Sequence, residues 1–289
     1  MDDDLGRTHI RVKARHASPK LRAFFLFIFV LPSSAQHIEY DHVTPQVLEE
    51  RLHRVKDKTS DREQTLHELF ESAGCKEPSL EDQPVKGSRT PNVVCTLTGT
   101  GEGRVVVAAH YDKVANGDGV IDNWSGASLL PSLFEGLHKR PCRFTFVFIG
   151  FTDEEKGLVG SRYYVSHLTR EDKAKIRAMV NIDSLGLSDT KIWLSRGDKH
   201  LSHAAVAVAH SMNLPIGAVN VDGVGESDSR PFADARIPVI DFHSVTQETF
   251  RILHSPSDTF RSLKLQPYLD SCNLLIAYLV FLDATLDAN

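Results

Sequence analysis

Apolar residues follow two rhythms along this chain. Short continuous runs occupy residues 92–98, 104–109, 144–150, 178–182, 191–194 and 238–242, rich in Val, Ile and Phe, and predict buried strands. Between them the spacing is helical. Leu48, Leu52 and Val55 follow Thr44-Pro45, an N-cap with proline in the first turn. Leu66, Leu69, Phe70 and Ala73 share one face after the capping box Ser60-Asp61-Arg62-Glu63, and Gly74 ends that helix. Further helices are predicted over 126–138, 158–168, 170–177 and 200–212, with a C-terminal helix carrying the apolar stretch 274–282. Residues 76–92 are polar and predict a loop. The cluster Gly99-Thr100-Gly101-Glu102-Gly103 separates two strands, so it predicts a hairpin turn and not a phosphate loop, which would lead into a helix. Helices alternating with buried strands predict a single three-layer α/β/α domain with a mostly parallel mixed sheet and helices on both faces.

Composition changes this picture at the N-terminus. Five basic residues from Arg11 to Arg22 precede the apolar run 23–31, and Pro32-Ser33-Ser34-Ala35 follows it. A basic stretch, a short apolar core and small residues are the layout of a signal peptide, here residues 1–35, leaving a single catalytic domain over 36–289. Nine apolar residues are too few to span a bilayer, so the expectation is an exported, periplasmic or secreted monomer with no membrane anchor after cleavage. Removing residues 1–35 takes away six basic and three acidic side chains and moves the formal charge from −5 to −8. That acidity, without a basic cluster, argues against a nucleic-acid partner. The four cysteines allow disulfides in an exported chain, and Cys75–Cys95 is the preferred pair, tying a helix end to the first strand. None sits in a CxxC pair, which argues against a thiolate metal site.

Chemistry gathers at the carboxyl ends of the predicted strands, where open α/β sheets place their ligands. His110 follows the second run, Asp153-Glu154-Glu155 the third and Asp183 the fourth; Asp122 and His254 lie in loops able to reach the same edge. Taken singly, each reads equally well as a solvated turn or cap residue. Together they crowd carboxylates without counter-charge, which costs free energy unless cations neutralise them. Asp122, Glu155 and Asp183 with a hydroxide balance two divalent metals. His and carboxylate donors without thiolates suit zinc in an open, hydrolytic site. Asp112, two residues after His110, is placed to orient that imidazole through its second nitrogen.

The segments AHYD (109–112), DNWSGAS (122–128), TDEEKGLVGS (152–161), NIDSLG (181–186) and HSPSDT (254–259) resemble, in order and spacing, those of the secreted dizinc aminopeptidases. Glutamate carboxypeptidases and glutaminyl cyclases belong to the same wider family. The resemblance runs from about residue 45 to the C-terminus and implies the zinc-exopeptidase fold. It also implies two zinc ions, one held by His110 and Asp183, the other by Glu155 and His254, with Asp122 bridging. Glu154 would be the general base, Asp112 a supporting carboxylate, and the Asp122–Asn123 bond cis. The implied reaction is removal of N-terminal residues from peptides with a free N-terminus by a water held between the metals. Cyclisation of N-terminal glutamine and carboxypeptidase activity are the alternatives. Two departures stand out. Relatives often have histidine after the aspartate of a Ser-Asp pair, where this chain has Ser229, and glutaminyl cyclases have tryptophan where this chain has Leu253. The 122–154 segment is too short to carry an inserted protease-associated domain.

Overall fold

The computed structural model describes residues 7–12, 36–220 and 225–287. The predicted signal segment lies outside these residues, apart from β1 (Arg7–Val12), which pairs antiparallel with β2 (Gln36–Asp41). The body of the protein is one eight-stranded sheet. Its strands are β3 (Leu80–Gln83), β4 (Asn92–Leu97), β5 (Arg104–His110), β6 (Thr145–Phe151), β7 (Ile176–Ile182), β8 (Lys191–Trp193), β9 (Gly217–Val219) and β10 (Val239–His243). The order across the sheet is β3-β4-β6-β5-β7-β10-β8-β9. The centre, β6-β5-β7-β10, is parallel; β3, β4 and β8 each run against a neighbour.

The strands that predict themselves most clearly are these central four, because burial on both faces demands continuous apolar sequence. Along β5, Val105, Val107 and Ala109 enter the larger core while Val106 and Ala108 enter the smaller one, as a period of two requires. The larger core is closed by α1 (Pro45–His53), α2 (Thr59–Ser72), α4 (Leu130–Leu137), α7 (Lys199–Ser211) and α9 (Leu265–Thr285). The smaller core receives Tyr164 and Val165 of α5 (Val159–His167) and Phe232 of α8 (Arg230–Asp234). Two short helices, α3 (Ser125–Ala127) and α6 (Arg170–Lys175), complete the set. Among the described residues only α9 is long and apolar enough to cross a membrane, and most of it is buried against the sheet as a core helix.

Three expectations need correction. The 92–98 and 104–109 strands do not form a hairpin: β6 lies between β4 and β5. The glycine cluster instead packs against the start of β6. Gly99 N–H donates to Thr145 Oγ1 at 3.1 Å and Gly101 N–H to the Arg143 carbonyl at 2.8 Å. A Cβ on Gly99 would stand 2.3 Å from the Phe144 carbonyl group, so the close approach requires glycine. Second, the 76–92 loop contains β3, which its acidic and amide residues concealed; it is an edge strand, where one side faces water. Third, α2 starts at Thr59 with Lys58 in the cap position and no side-chain cap, so Ser60 lies inside the first turn, its hydroxyl donating to the neighbouring Asp61 carboxylate. The preferred disulfide is present, joining Cys75 after α2 to Cys95 in β4, and Gly74, with φ of 101°, ends α2.

Candidate metal centre and catalytic site

Four strand ends and two loops converge on one edge of the sheet. His110, the last residue of β5, is buried, and its Nε2 lies 3.3 Å from Asp122 Oδ1 and 3.7 Å from Asp183 Oδ1. His254 Nε2 lies 3.1 Å from the other Asp122 oxygen, Oδ2, and 3.0 Å from Glu155 Oε2. The result is two triads, His110-Asp122-Asp183 and Asp122-Glu155-His254, each with donor atoms within 4.8 Å of one another. Asp122 belongs to both and turns one oxygen toward each. All five residues singled out as metal ligands therefore meet at one place, and Glu154 lines the same cavity.

The backbone around these side chains is held by residues that carry no obvious signal in sequence. Asp122 sits in an irregular turn, Val120–Trp124, whose 122–123 peptide bond is cis. Both oxygens of Asp258 accept backbone bonds from this turn, from Ile121 N–H at 2.7 Å and Asp122 N–H at 3.1 Å. Asn123 staples the turn to the end of β7: its Nδ2 donates to the Ile182 carbonyl at 2.8 Å, and its Oδ1 accepts from Gly126 and Ser184 N–H. A Cβ at Gly126 would stand 2.6 Å from Asn123 Oδ1, which is why glycine follows in DNWSG. Asp112 approaches His110 Nδ1 at 3.4 Å, and its carboxylate also accepts the N–H groups of Glu154 and Glu155, at 3.0 and 3.2 Å. It thus positions the acidic turn as well as the imidazole. Asp153 has a structural place: buried, with a left-handed φ of 53°, it pairs with Lys156 and leaves the next two residues to face the cavity.

Behind the site lies Arg62, fully buried, whose guanidinium donates to the carbonyls of Lys56, Tyr111, Asp118 and Gly119. Burial lowers its pKa to about 10, against the pull of Asp258 and Asp112. The sequence places Arg62 in a capping box; its role in fixing the 111–119 loop is a tertiary fact with no local signature. Asp228 is buried, and burial raises its pKa to about 7. The neighbouring Ser227 and Ser229 hydroxyls donate to Asp241 at 2.7 and 2.8 Å. Ser229, the departure from the histidine of relatives, therefore has a partner of its own.

Burial and crowded charge shift the pKa values of five groups at the centre. Burial raises Glu154 to about 10, and Asp228, Asp183 and Asp122 add to the shift. Burial and Asp122 raise Glu155 to about 7. Burial opposes a charged His110, but Glu154, Asp112, Asp122 and Asp183 outweigh it and push its pKa well up. The bond to Asp122 and the charge of Glu155 raise His254 to about 9. Burial would raise Asp122, yet its bonds to both imidazoles hold it far below the usual carboxylate range. Protons on these groups thus offset the crowded negative charge. Glu155 Oε1 is buried without a partner among the described residues. Nitrogen and oxygen donors, a shared carboxylate and an orphaned ligand oxygen fit divalent metal ions of the zinc type.

A cavity of about 530 Å³ opens over this centre, lined also by Trp193, His243, Val245 and Leu253, by Gly225, Glu226 and Ser227 before α8, and by Phe250 and Arg251 before His254.

Residues 92–280 match the sequence profile described as peptidase family M28. The chain is 28% identical over 182 residues to aminopeptidase YwaD of Bacillus subtilis, covering 60% of this chain and 40% of that protein. It is 36% identical over 118 residues to an aminopeptidase of Pseudomonas aeruginosa, covering 39% of this chain and 21% of that one. The leupeptin-inactivating enzyme 1 of Streptomyces exfoliatus is 29% identical over 164 residues, 56% of this chain and 37% of that protein. The chain thus spans about a fifth to two fifths of the length of these curated relatives. Among solved structures, the LapA aminopeptidase of Legionella pneumophila superposes with a TM-score of 0.74 at 21% identity, covering 85% of this chain and 73% of that one. The zinc aminopeptidase BSAP of Bacillus subtilis gives 0.60 at 25% identity over 66% and 49% of the two chains. A glutaminyl cyclase from an Acidobacteriales bacterium gives 0.67 at 17% identity over 82% and 92%.

Proposed function

We propose, since this chain belongs to peptidase family M28, that it is a zinc-dependent aminopeptidase which removes residues from peptides with a free N-terminus. The observation that carries the reading is the pair of triads sharing Asp122, with Glu154 beside them on one cavity. His110, Asp122 and Asp183 would hold one ion and Asp122, Glu155 and His254 a second. Bound there, the ions would supply Lewis acidity toward the scissile carbonyl and charge stabilisation for its oxygen.

The protein's own groups do the rest. Glu154 takes the proton of the attacking water and passes it to the leaving amine, so it has to be ionised at the start of the cycle and basic enough to accept. Burial and three neighbouring acids raise its pKa, and the charge of bound cations would lower it again, leaving a carboxylate that is ionised yet still basic. Asp112 fixes its place by holding the backbone on which it rides. The cluster of carboxylates offers acceptors for the substrate's α-ammonium group, which restricts cleavage to the first residue. Export through residues 1–35, with a catalytic domain over 36–289, belongs to the same proposal and agrees with the Cys75–Cys95 bond, which an oxidising compartment preserves.

Glu154→Gln tests the reading: bound zinc should stay at the wild-type level while kcat falls by a factor on the order of 10²–10⁴. Turnover at the wild-type rate would overturn the assignment of the base. Cleavage of aminoacyl amides but not of N-blocked peptides separates aminopeptidase from carboxypeptidase action. Glutaminyl cyclisation has one feature in its favour, an indole (Trp193) in the cavity wall; ammonia released from a glutaminyl peptide without peptide cleavage would establish it.

A further inference from the structure

The cavity wall contains a hydrogen-bond donor that the proposed chemistry leaves unused. His243 ends β10, lines the cavity and is 6% exposed. Its Nδ1 accepts the Val245 N–H at 3.1 Å, which assigns the ring proton to Nε2. Burial, with the nearby charge of Lys191, lowers its pKa to about 4, so the ring is a neutral donor at physiological pH. Nε2 is buried and has no hydrogen-bond partner among the described residues. A native protein rarely leaves a donor in that condition without a use for it.

The neighbours narrow the kind of acceptor that would suit it. Leu158, Trp193, Val245, Phe250 and Leu253 give the cavity much of its lining, with Arg162, Ser184, Ser227 and Arg251 as polar members of the same wall. The Trp193 indole N–H is already taken by Ser195 Oγ at 2.8 Å, and the Glu226 carboxylate is bound by Arg196 and Arg230. A large apolar body is welcome here, and one acceptor atom satisfies the imidazole. An amide side chain would bring two further N–H groups that each need an acceptor of their own, and an alkyl or phenyl side chain would leave Nε2 unpaired. A lysine or arginine would bring a charge and no acceptor. A phenol meets the requirement with the fewest polar atoms left over.

We infer that this cavity receives the side chain of the substrate's first residue and that His243 selects tyrosine, its Nε2–H donating to the phenolic oxygen. The assignment rests on the aminopeptidase reading. Nε2 is covered in the ligand-free cavity, so the entering ring parts the wall side chains by changes of rotamer, as is common at binding surfaces.

The test compares tyrosyl, phenylalanyl and leucyl p-nitroanilides on the zinc-loaded full chain. Tyrosine and phenylalanine differ only in the hydroxyl. In the wild type kcat/KM should favour tyrosine over phenylalanine by about tenfold, the worth of one neutral hydrogen bond in a buried site. In His243→Phe the ratio should fall to about one, through loss of the tyrosyl rate with the phenylalanyl rate kept. His243→Gln, which returns an N–H to the neighbourhood of Nε2, should recover part of the preference. Inhibition of the wild type by tyrosinol against phenylalaninol reads the same ratio without any variant. Equal tyrosyl and phenylalanyl values in the wild type, or a ratio unchanged in His243→Phe, overturn the role of His243 and leave the aminopeptidase reading standing. Failure to cleave any of the three, with N-blocked peptides cleaved instead, overturns both.

Discussion

Adding a divalent metal to the metal-free protein at pH 7.5 should expel about two protons per chain, because metal ligands must be deprotonated. The count follows from the four groups that crowd Asp122. With its pKa near 9, His254 is almost fully protonated at that pH, and the surrounding acids push His110 toward its protonated form as well. Glu155, near 7, carries about a quarter of a proton under the same titration law. The two imidazoles therefore supply close to two protons. Glu154, near 10, adds up to one more if the incoming charge also empties it. Calorimetric titration in two buffers of different ionisation enthalpy measures the number directly. The sign fixes a second observable: protons are bound in the metal-free state and lost in the metal-bound one, so affinity rises with pH. Two protons correspond to about a hundredfold gain per pH unit between pH 6.5 and 8. Release of fewer than about one proton, or an affinity flat across that window, would refute the argument that protons offset the crowded negative charge of this centre.

Other outcomes follow from the same geometry. The raised acids and histidines make the metal-free protein more stable at low pH: their contribution is intact below the unfolded values, roughly 4–6.5, and is lost as pH rises through about 7–10. Melting temperature of the metal-free chain should therefore drop between pH 5 and 9, and saturating zinc should reverse the trend; parallel profiles with and without metal would count against it. Asp258→Ala strands the N–H groups of Ile121 and Asp122, and metal affinity should weaken by about 10–100-fold, as for other groups that orient a ligand. An unchanged dissociation constant by competition with a chelator would show that the turn holds itself. Removing the Cys75–Cys95 bond, which closes a segment of sequence separation 20, should cost about 3 kcal/mol in urea unfolding of the double serine variant. A loss below about 1 kcal/mol would mean that the acidic edge strand between the cysteines is already ordered without the bond.

How much of this centre a sequence discloses depends on whether a residue acts where it stands or through something distant. Three of the candidate ligands are legible because they follow apolar runs, and a strand buried on both faces ends at the one edge where polar groups are useful; His110 after Val105–Ala109 and Asp183 after Ile182 need no further context, whereas Asp122 and His254 stand in loops. Edge strands are less legible. The polar Leu80–Gln83 looks like loop because one of its sides has no partner, and the glycine cluster of 99–103 permits a hairpin until β6 is seen to intervene.

The supporting residues are the least legible, for a physical reason. Asp258, Asn123 and Arg62 act on backbone N–H and carbonyl groups, and every residue has those, so no pattern of neighbouring residue types marks their targets. Asp258 reaches back 136 positions to Asp122, and Arg62 reaches 57 forward to Gly119. Arg62 also lies before residue 92, where the match to the peptidase profile begins, so a reading confined to the profile would miss the buried cation that fixes the loop behind the centre. His243 belongs to the same class. Its position is defined by the Val245 N–H that sets its tautomer and by an Nε2 without a partner among the described residues. Neither can be read from the letters around it.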